Sequence, residues 1–265
     1  MARRAITGYS ANGLPYAYIG NGTRKLVVFE GLDFRHKPPS GIMLRMGTGY
    51  LRGLANEYRI YIVTRRPGLP QGYSLKDMAD DYAVMIKNEL GGAGDIMGVS
   101  TGGAIAQHFA IDHPDLVRRL VLAMTGFRLT AEARELQTKV AELARKRKRR
   151  AASALLGTAI IRRGTGKHLF KWFMGLMGPL MIPADAPDGI VEIEAEDRHD
   201  LGDRLDRIKA DTLVIGGEED FFYPVRETAA KIPGARLVLY PHLGHNAMFA
   251  RSRQFGEDIR AFLLG

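Results

Sequence analysis

The 265-residue chain contains no cysteine. That excludes disulfides, thiolate metal sites and a cysteine nucleophile. It also lacks any uninterrupted apolar stretch of about 20 residues, the length a membrane-spanning helix needs. No apolar run of signal-peptide length follows Arg3 and Arg4. A protein of the cytoplasm, not inserted in a membrane, is the expectation. Neither His-Glu-x-x-His nor His-x-x-Glu-His occurs, so no hydrolytic metal and no cofactor is expected. Nothing in the sequence sets an oligomeric state.

Acidic residues are scarce in one place. The formal net charge is +9, and from Arg128 to Lys171 there are 13 Lys and Arg against Glu132, Glu135 and Glu142, so the rest of the chain is near neutral. The densest run is Arg145 to Arg150. No aromatic residues interleave it to stack on bases, so nucleic acid is not an expected partner. Leu136, Val140 and Leu143 are spaced like one helix face. Carrying that helix forward would spread the six charges around it, most of them toward water.

Apolar residues make up 46% of the chain, enough for a continuous core. Short apolar runs alternate with helix-like stretches, the rhythm of a mostly parallel sheet flanked by helices. The expected strands are Leu26–Phe29, Arg59–Thr64, Asp95–Val99, Leu120–Ala123, Thr212–Ile215 and Arg236–Tyr240. Two earlier runs, Ala5–Tyr9 and Tyr16–Ile19, flank Asn12-Gly13, a hairpin signal. Expected helices include Leu75–Leu90, Thr101–His113 and Gln254–Leu263. Between about Phe127 and Asp206 no clear strand occurs. This predicts a core of residues 1–126 and 207–265 with a helical cap, 127–206, inserted between them.

The chemistry concentrates in three segments. Gly98-Val99-Ser100-Thr101-Gly102 follows an expected strand and opens an apolar helix. Small residues two places either side of the serine permit a tight turn that exposes Oγ, and the helix start offers N–H groups to a developing oxyanion. A serine hydroxyl is a weak nucleophile and needs a base. His245, past the last strand and before the final helix, is the best placed of seven histidines. His242 lies closer to the strand and reads as a loop residue, and His108 and His113 read as structural. The base needs an orienting carboxylate. Asp220, in the loop after Leu213–Gly217, is favoured, with Glu218 and Glu219 as alternatives.

With these pieces in the order Ser, Asp, His, the chain resembles the α/β-hydrolase superfamily, in its capped, esterase-like branch. His113-Pro114-Asp115-Leu116 and the run to Leu122 resemble that family's helix-to-strand passage. The resemblance implies an α/β fold, acyl transfer through Ser100, and oxyanion donors at the N–H groups of Leu32 and Thr101. Glu30 stands where the family often has histidine, with Arg35, Arg65 and Arg66 as candidate partners. Relatives that cleave carbon–halogen bonds or epoxides carry aspartate at the nucleophile position, and this chain has serine. A small carboxylic ester with an apolar portion is the expected substrate. Trp172, Phe173, Leu176 and Met177 are candidates to line its pocket from the cap. Cleavage of C–C bonds, perhydrolysis on the same triad, a non-catalytic binding protein retaining the fold, and a nucleic-acid or membrane-surface binder using the basic run are the alternatives.

Overall fold

The computed structural model describes residues 5–265, without the side chain of Ile42; Arg3 and Arg4 lie outside the described residues. The chain opens with β1 (Ile6–Tyr9), β2 (Pro15–Ile19) and β3 (Arg24–Phe29), then α1 (Gly41–Gly47), β4 (Tyr58–Val63) and α2 (Leu75–Glu89). β5 (Gly94–Val99), α3 (Thr101–Asp112) and β6 (Val117–Ala123) follow. Four helices come next: α4 (Ala131–Arg145), α5 (Arg149–Ile160), α6 (Lys167–Met181) and α7 (Pro187–Asp197). β7 (Asp211–Gly217), α8 (Val225–Lys231), β8 (Arg236–Tyr240), α9 (Ala247–Ala250) and α10 (Ser252–Leu264) complete the described chain.

The strands form one sheet in the order β1-β2-β4-β3-β5-β6-β7-β8. β1–β2 and β2–β4 are antiparallel. The other pairs are parallel. At the first hairpin Gly13 adopts φ +87°, and Ser10 and Leu14 close the turn through Ser10 N–H to Leu14 O at 2.9 Å. The central strands are near-continuous apolar runs because helices cover both faces. One core, with Phe29, Tyr82, Phe109 and Leu122, lies under α2 and α3. The other, with Ile60, Met97, Phe255 and Ile259, lies under α10. α2 starts on a capping box: Ser74 Oγ accepts the Asp77 N–H at 3.1 Å, and Asp77 accepts the Ser74 N–H at 2.9 Å.

Between β6 and β7 the ordered elements are helical, apart from a single bridge, Arg128 to Asp200. These helices share a smaller core of Val140, Ala144, Ala152 and Ile193, closed by Phe34 from the loop after β3. The basic run departs from the expected continuous helix. α4 ends at Arg145, Arg147 turns through φ +57°, and α5 begins at Arg149. Like charges three and four apart on a helix repel, and the run forms the turn between two helices. Among the described residues no helix is long and apolar enough to cross a membrane.

Candidate active site

Ser100 sits between β5 and α3 at φ 53°, ψ −123°, a region that costs a non-glycine residue about 1–3 kcal/mol. The surrounding glycines make this turn possible. A Cβ on Gly98 would stand 2.4 Å from Gly103 Cα, and one on Gly102 would stand 2.1 Å from Phe29 O. β5, α3 and the end of β3 therefore meet closer than any side chain allows. The serine side chain is left standing above the C-terminal edge of the sheet.

Two loops converge on it. His245, 9% exposed, follows β8 and places Nε2 3.0 Å from Ser100 Oγ. Its Nδ1 lies 2.8 Å from Asp220 Oδ2. A carboxylate can only accept, so Nδ1 carries the proton and Nε2 is free to accept from the serine. The other oxygen of Asp220 accepts the N–H groups of Phe222 at 2.8 Å and Tyr223 at 3.2 Å, which fixes the carboxylate in place. The alternative carboxylates turn away: Glu218 pairs with Arg226 at 2.9 Å and Glu219 with Arg163 at 2.5 Å. His242 projects into solvent. Phe222 and Tyr223 pack on the His245 ring, with centroids 4.6 and 5.9 Å away.

The loop after β3 forms the third wall. A Cβ on Gly31 would lie 3.4 Å from Ser100 Cβ, so the segment Glu30–Leu32 runs against the nucleophile. Among the described residues, neither the Leu32 nor the Thr101 N–H makes a loop or turn hydrogen bond to a backbone carbonyl. The loop is held by Arg65, fully buried, which donates to the carbonyls of Glu30 at 2.6 Å and Gly31 at 2.7 Å. Arg65 also pairs with buried Glu192 of α7. Glu192 in turn meets His36 Nε2 at 3.2 Å. Of the partners expected for the Glu30 side chain, Arg65 grips its backbone, Arg66 pairs with Asp81 and Arg35 with Asp33. Burial, with Asp33 nearby, pushes the Glu30 carboxyl up to about 7, against the opposing pull of Arg65 and Arg35.

Sequence reasoning missed Arg65 and Glu192 as the clamp on this loop, and also a second buried carboxylate. Glu196 of α7 accepts from Thr101 Oγ1 at 3.1 Å, from Gln137 Nε2 at 2.9 Å, and from the Tyr223 hydroxyl. Burial raises its pKa, opposed by those donated hydrogen bonds. The signal available was the i, i+4 spacing of Glu192 and Glu196 amid Val191, Ile193 and Ala195. The expected pocket lining is corrected. Trp172, Phe173 and Leu176 are exposed and Met177 is half-buried, because α6 packs on α5 through Met174, Gly175 and Gly178. Its large residues point outward. Among the described residues no group of three or more His, Asp and Glu could hold a metal ion.

A family model described as the alpha/beta hydrolase fold matches residues 61–251. The chain belongs to the α/β-hydrolase family. It is 26% identical over 212 residues to a pimeloyl-[acyl-carrier protein] methyl ester esterase of Neisseria meningitidis, 74% of this chain and 64% of that protein. The match thus spans just under two thirds of that relative's length. It is 26% identical over 202 residues to a 2-hydroxymuconate semialdehyde hydrolase of Pseudomonas putida, 69% of this chain and 67% of that one. The enol-lactonase of Burkholderia xenovorans LB400 superposes with a TM-score of 0.77 at 22% identity, covering 98% of this chain and 100% of that chain. That likeness is one of fold. This α/β-hydrolase therefore has esterase-type relatives.

Proposed function

We propose that this α/β-hydrolase is a serine esterase that passes the acyl group of a small carboxylic ester with an apolar portion through Ser100 to water. The observation that carries the reading is the continuous hydrogen-bond path from Ser100 through His245 to Asp220. In this mechanism Oγ attacks the ester carbonyl as its proton moves to His245 Nε2. Asp220 stabilises the imidazolium and keeps the ring oriented. The N–H groups of Leu32 and Thr101 receive the oxyanion, each such donor being worth about 3–4 kcal/mol. His245 then protonates the leaving alcohol, the acyl-enzyme forms, and water attacks it by the same route in reverse. Residues 127–206 act as the cap, and the Thr101–Glu196 and Arg65–Glu192 contacts support that placement.

The methyl ester named for the Neisseria relative supports an ester as substrate. The similarity to the semialdehyde hydrolase favours one second reading, C–C cleavage on the same three residues. A fluorophosphonate probe followed by peptide mapping tests the first step. The reading expects one adduct, on Ser100, together with turnover of p-nitrophenyl esters. Labelling elsewhere, or labelling with turnover of a semialdehyde and not of esters, would overturn the esterase reading.

A further inference from the structure

From Leu143 to Ala184 the chain carries ten Lys and Arg and no Asp or Glu. Within this stretch α5 and α6 pack antiparallel, with Gly178 against Arg149 and Arg150 and Met174 against Gly157. The face of α6 opposite that seam carries Leu169, Trp172, Phe173, Leu176 and Leu180, at spacings of one, three and four. These residues are 68, 64, 46, 51 and 67% exposed, in that order. An amphipathic helix on a globular protein normally turns this face inward. Among the described residues nothing packs over it. Exposed bases stand at both ends of the hairpin: Lys146, Lys148 and Arg150 at one, Arg162, Arg163 and Lys167 at the other.

We propose that this face of α6 docks on an anionic lipid surface, its Leu, Trp and Phe side chains entering the boundary between headgroups and acyl chains while the basic ends of the hairpin meet the headgroups. Charge selects the partner. A second copy of the chain would bring two strongly basic stretches together, and their repulsion opposes that dimer. An outward Trp, Phe and Leu face, with Lys167 and Lys171 on the same helix and further Lys and Arg on the adjoining turns, matches the make-up of an interfacial helix, which lies on a membrane without spanning it. The docked hairpin adjoins the acid loop: Arg163 pairs with Glu219 at 2.5 Å, and Arg162 lies 4.6 Å from the Phe221 ring centroid. Adsorption therefore holds the site beside the lipid surface. This inference stands on the surface alone and does not require the esterase reading.

Trp172 is the only tryptophan in the chain, so its emission reports on this face directly. The full chain is titrated with phosphatidylcholine vesicles containing about 30% phosphatidylglycerol and with pure phosphatidylcholine vesicles, at low and high salt, with co-sedimentation in parallel. The expected result is a blue shift and sedimentation with the anionic vesicles only, weakened about tenfold or more by high salt. The double substitution Leu169→Gln/Leu180→Gln and the triple substitution Lys146→Gln/Lys148→Gln/Arg150→Gln should each weaken vesicle binding. Both leave hydrolysis of a soluble ester and the unfolding midpoint unchanged. Three results overturn the proposal: no shift with anionic vesicles, a shift that grows with protein concentration without lipid and tracks a dimer, or an equal shift with polyglutamate in place of vesicles.

Discussion

Arg65 offers a way to loosen the Glu30–Leu32 loop, the proposed oxyanion donor, without touching the proposed reacting groups. Its guanidinium is 1% exposed, donates to the carbonyls of Glu30 and Gly31, and forms an ion pair with Glu192. Arg65→Met keeps much of the volume but leaves Glu192 with His36 as its remaining partner and two carbonyls without donors. Breaking a buried pair by removing one partner costs about 3–5 kcal/mol. Against a total stability of about 5–15 kcal/mol, that variant stands near unfolding. Arg65→Lys is the more informative change. It keeps the charge, but an ammonium on a flexible stem cannot reproduce the planar fork. A loss of about 1.5–3 kcal/mol is expected, the worth of hydrogen bonds to a charged group. If the loop carrying Leu32 shifts by about 1 Å, kcat falls by up to about 100-fold, because misplacement acts on the transition state. KM should change little. Urea unfolding followed by circular dichroism, with kcat and KM on a soluble ester, reads both effects. An Arg65→Lys protein with the parent's urea midpoint and kcat within about twofold of it would refute the clamp argument.

His199 Nδ1 and His108 Nε2 lie 3.3 Å apart, and burial depresses their pKa values to about 3 and about 4. The unfolded chain binds protons below about pH 6.5 that the folded chain refuses, so stability is lost as pH falls from about 6.5 toward 4, by roughly 3 kcal/mol for each histidine. Urea midpoints at pH 7 and pH 4.5 should show the loss, and His199→Asn should reduce it; equal slopes in both proteins would count against the pair. Asp220→Asn should preserve the fold and lower kcat by up to about 10,000-fold through the wrong imidazole tautomer, whereas Glu219→Gln should lower it less than about threefold; the reverse ranking would reassign the acid. Glu30 ionises as pH rises through about 7, placing a negative charge beside the oxyanion loop. Glu30→Gln should therefore exceed the parent's kcat/KM by about fivefold at pH 8.5 and match it near pH 5.5, and a pH-independent ratio would contradict that account.

The sheet was readable because its central strands are buried on both faces and so appear as short apolar runs bounded by turn residues, while the edge strands carry the hairpin signal and β-branched or aromatic residues. Arg236–Tyr240 matched to the residue, and the hairpin at Asn12-Gly13 and the start of α3 at Thr101 were placed by local chemistry. Short α1 and α8 were not legible, since seven residues give too little periodicity. Ser100, His245 and Asp220 could be singled out because each follows a strand at the same edge of the sheet. Glu218 and Glu219 stayed open as alternatives to Asp220, because the turn at Phe222 and Tyr223 that aims Asp220 at His245 is not visible in local sequence. The role of Arg65 was hidden for a different reason. Its partners lie 34, 35 and 127 residues away in sequence, and only the folded chain brings Glu192 and the carbonyls of Glu30 and Gly31 to it. The outward face of α6 also misled, because an apolar helical stripe has the same spacing whether it faces a core or solvent.

The most direct test of the account is Ser100→Ala, assayed for kcat/KM on a short-chain p-nitrophenyl ester beside the parent protein. Removing Oγ leaves the turn, the imidazole and the neighbouring N–H groups in place, and alanine keeps the Cβ at φ 53°, so the unfolding midpoint should hold. The account predicts a fall in kcat/KM of about 10,000-fold or more. A cleanly prepared Ser100→Ala protein that turns over the ester within about tenfold of the parent's rate would contradict it.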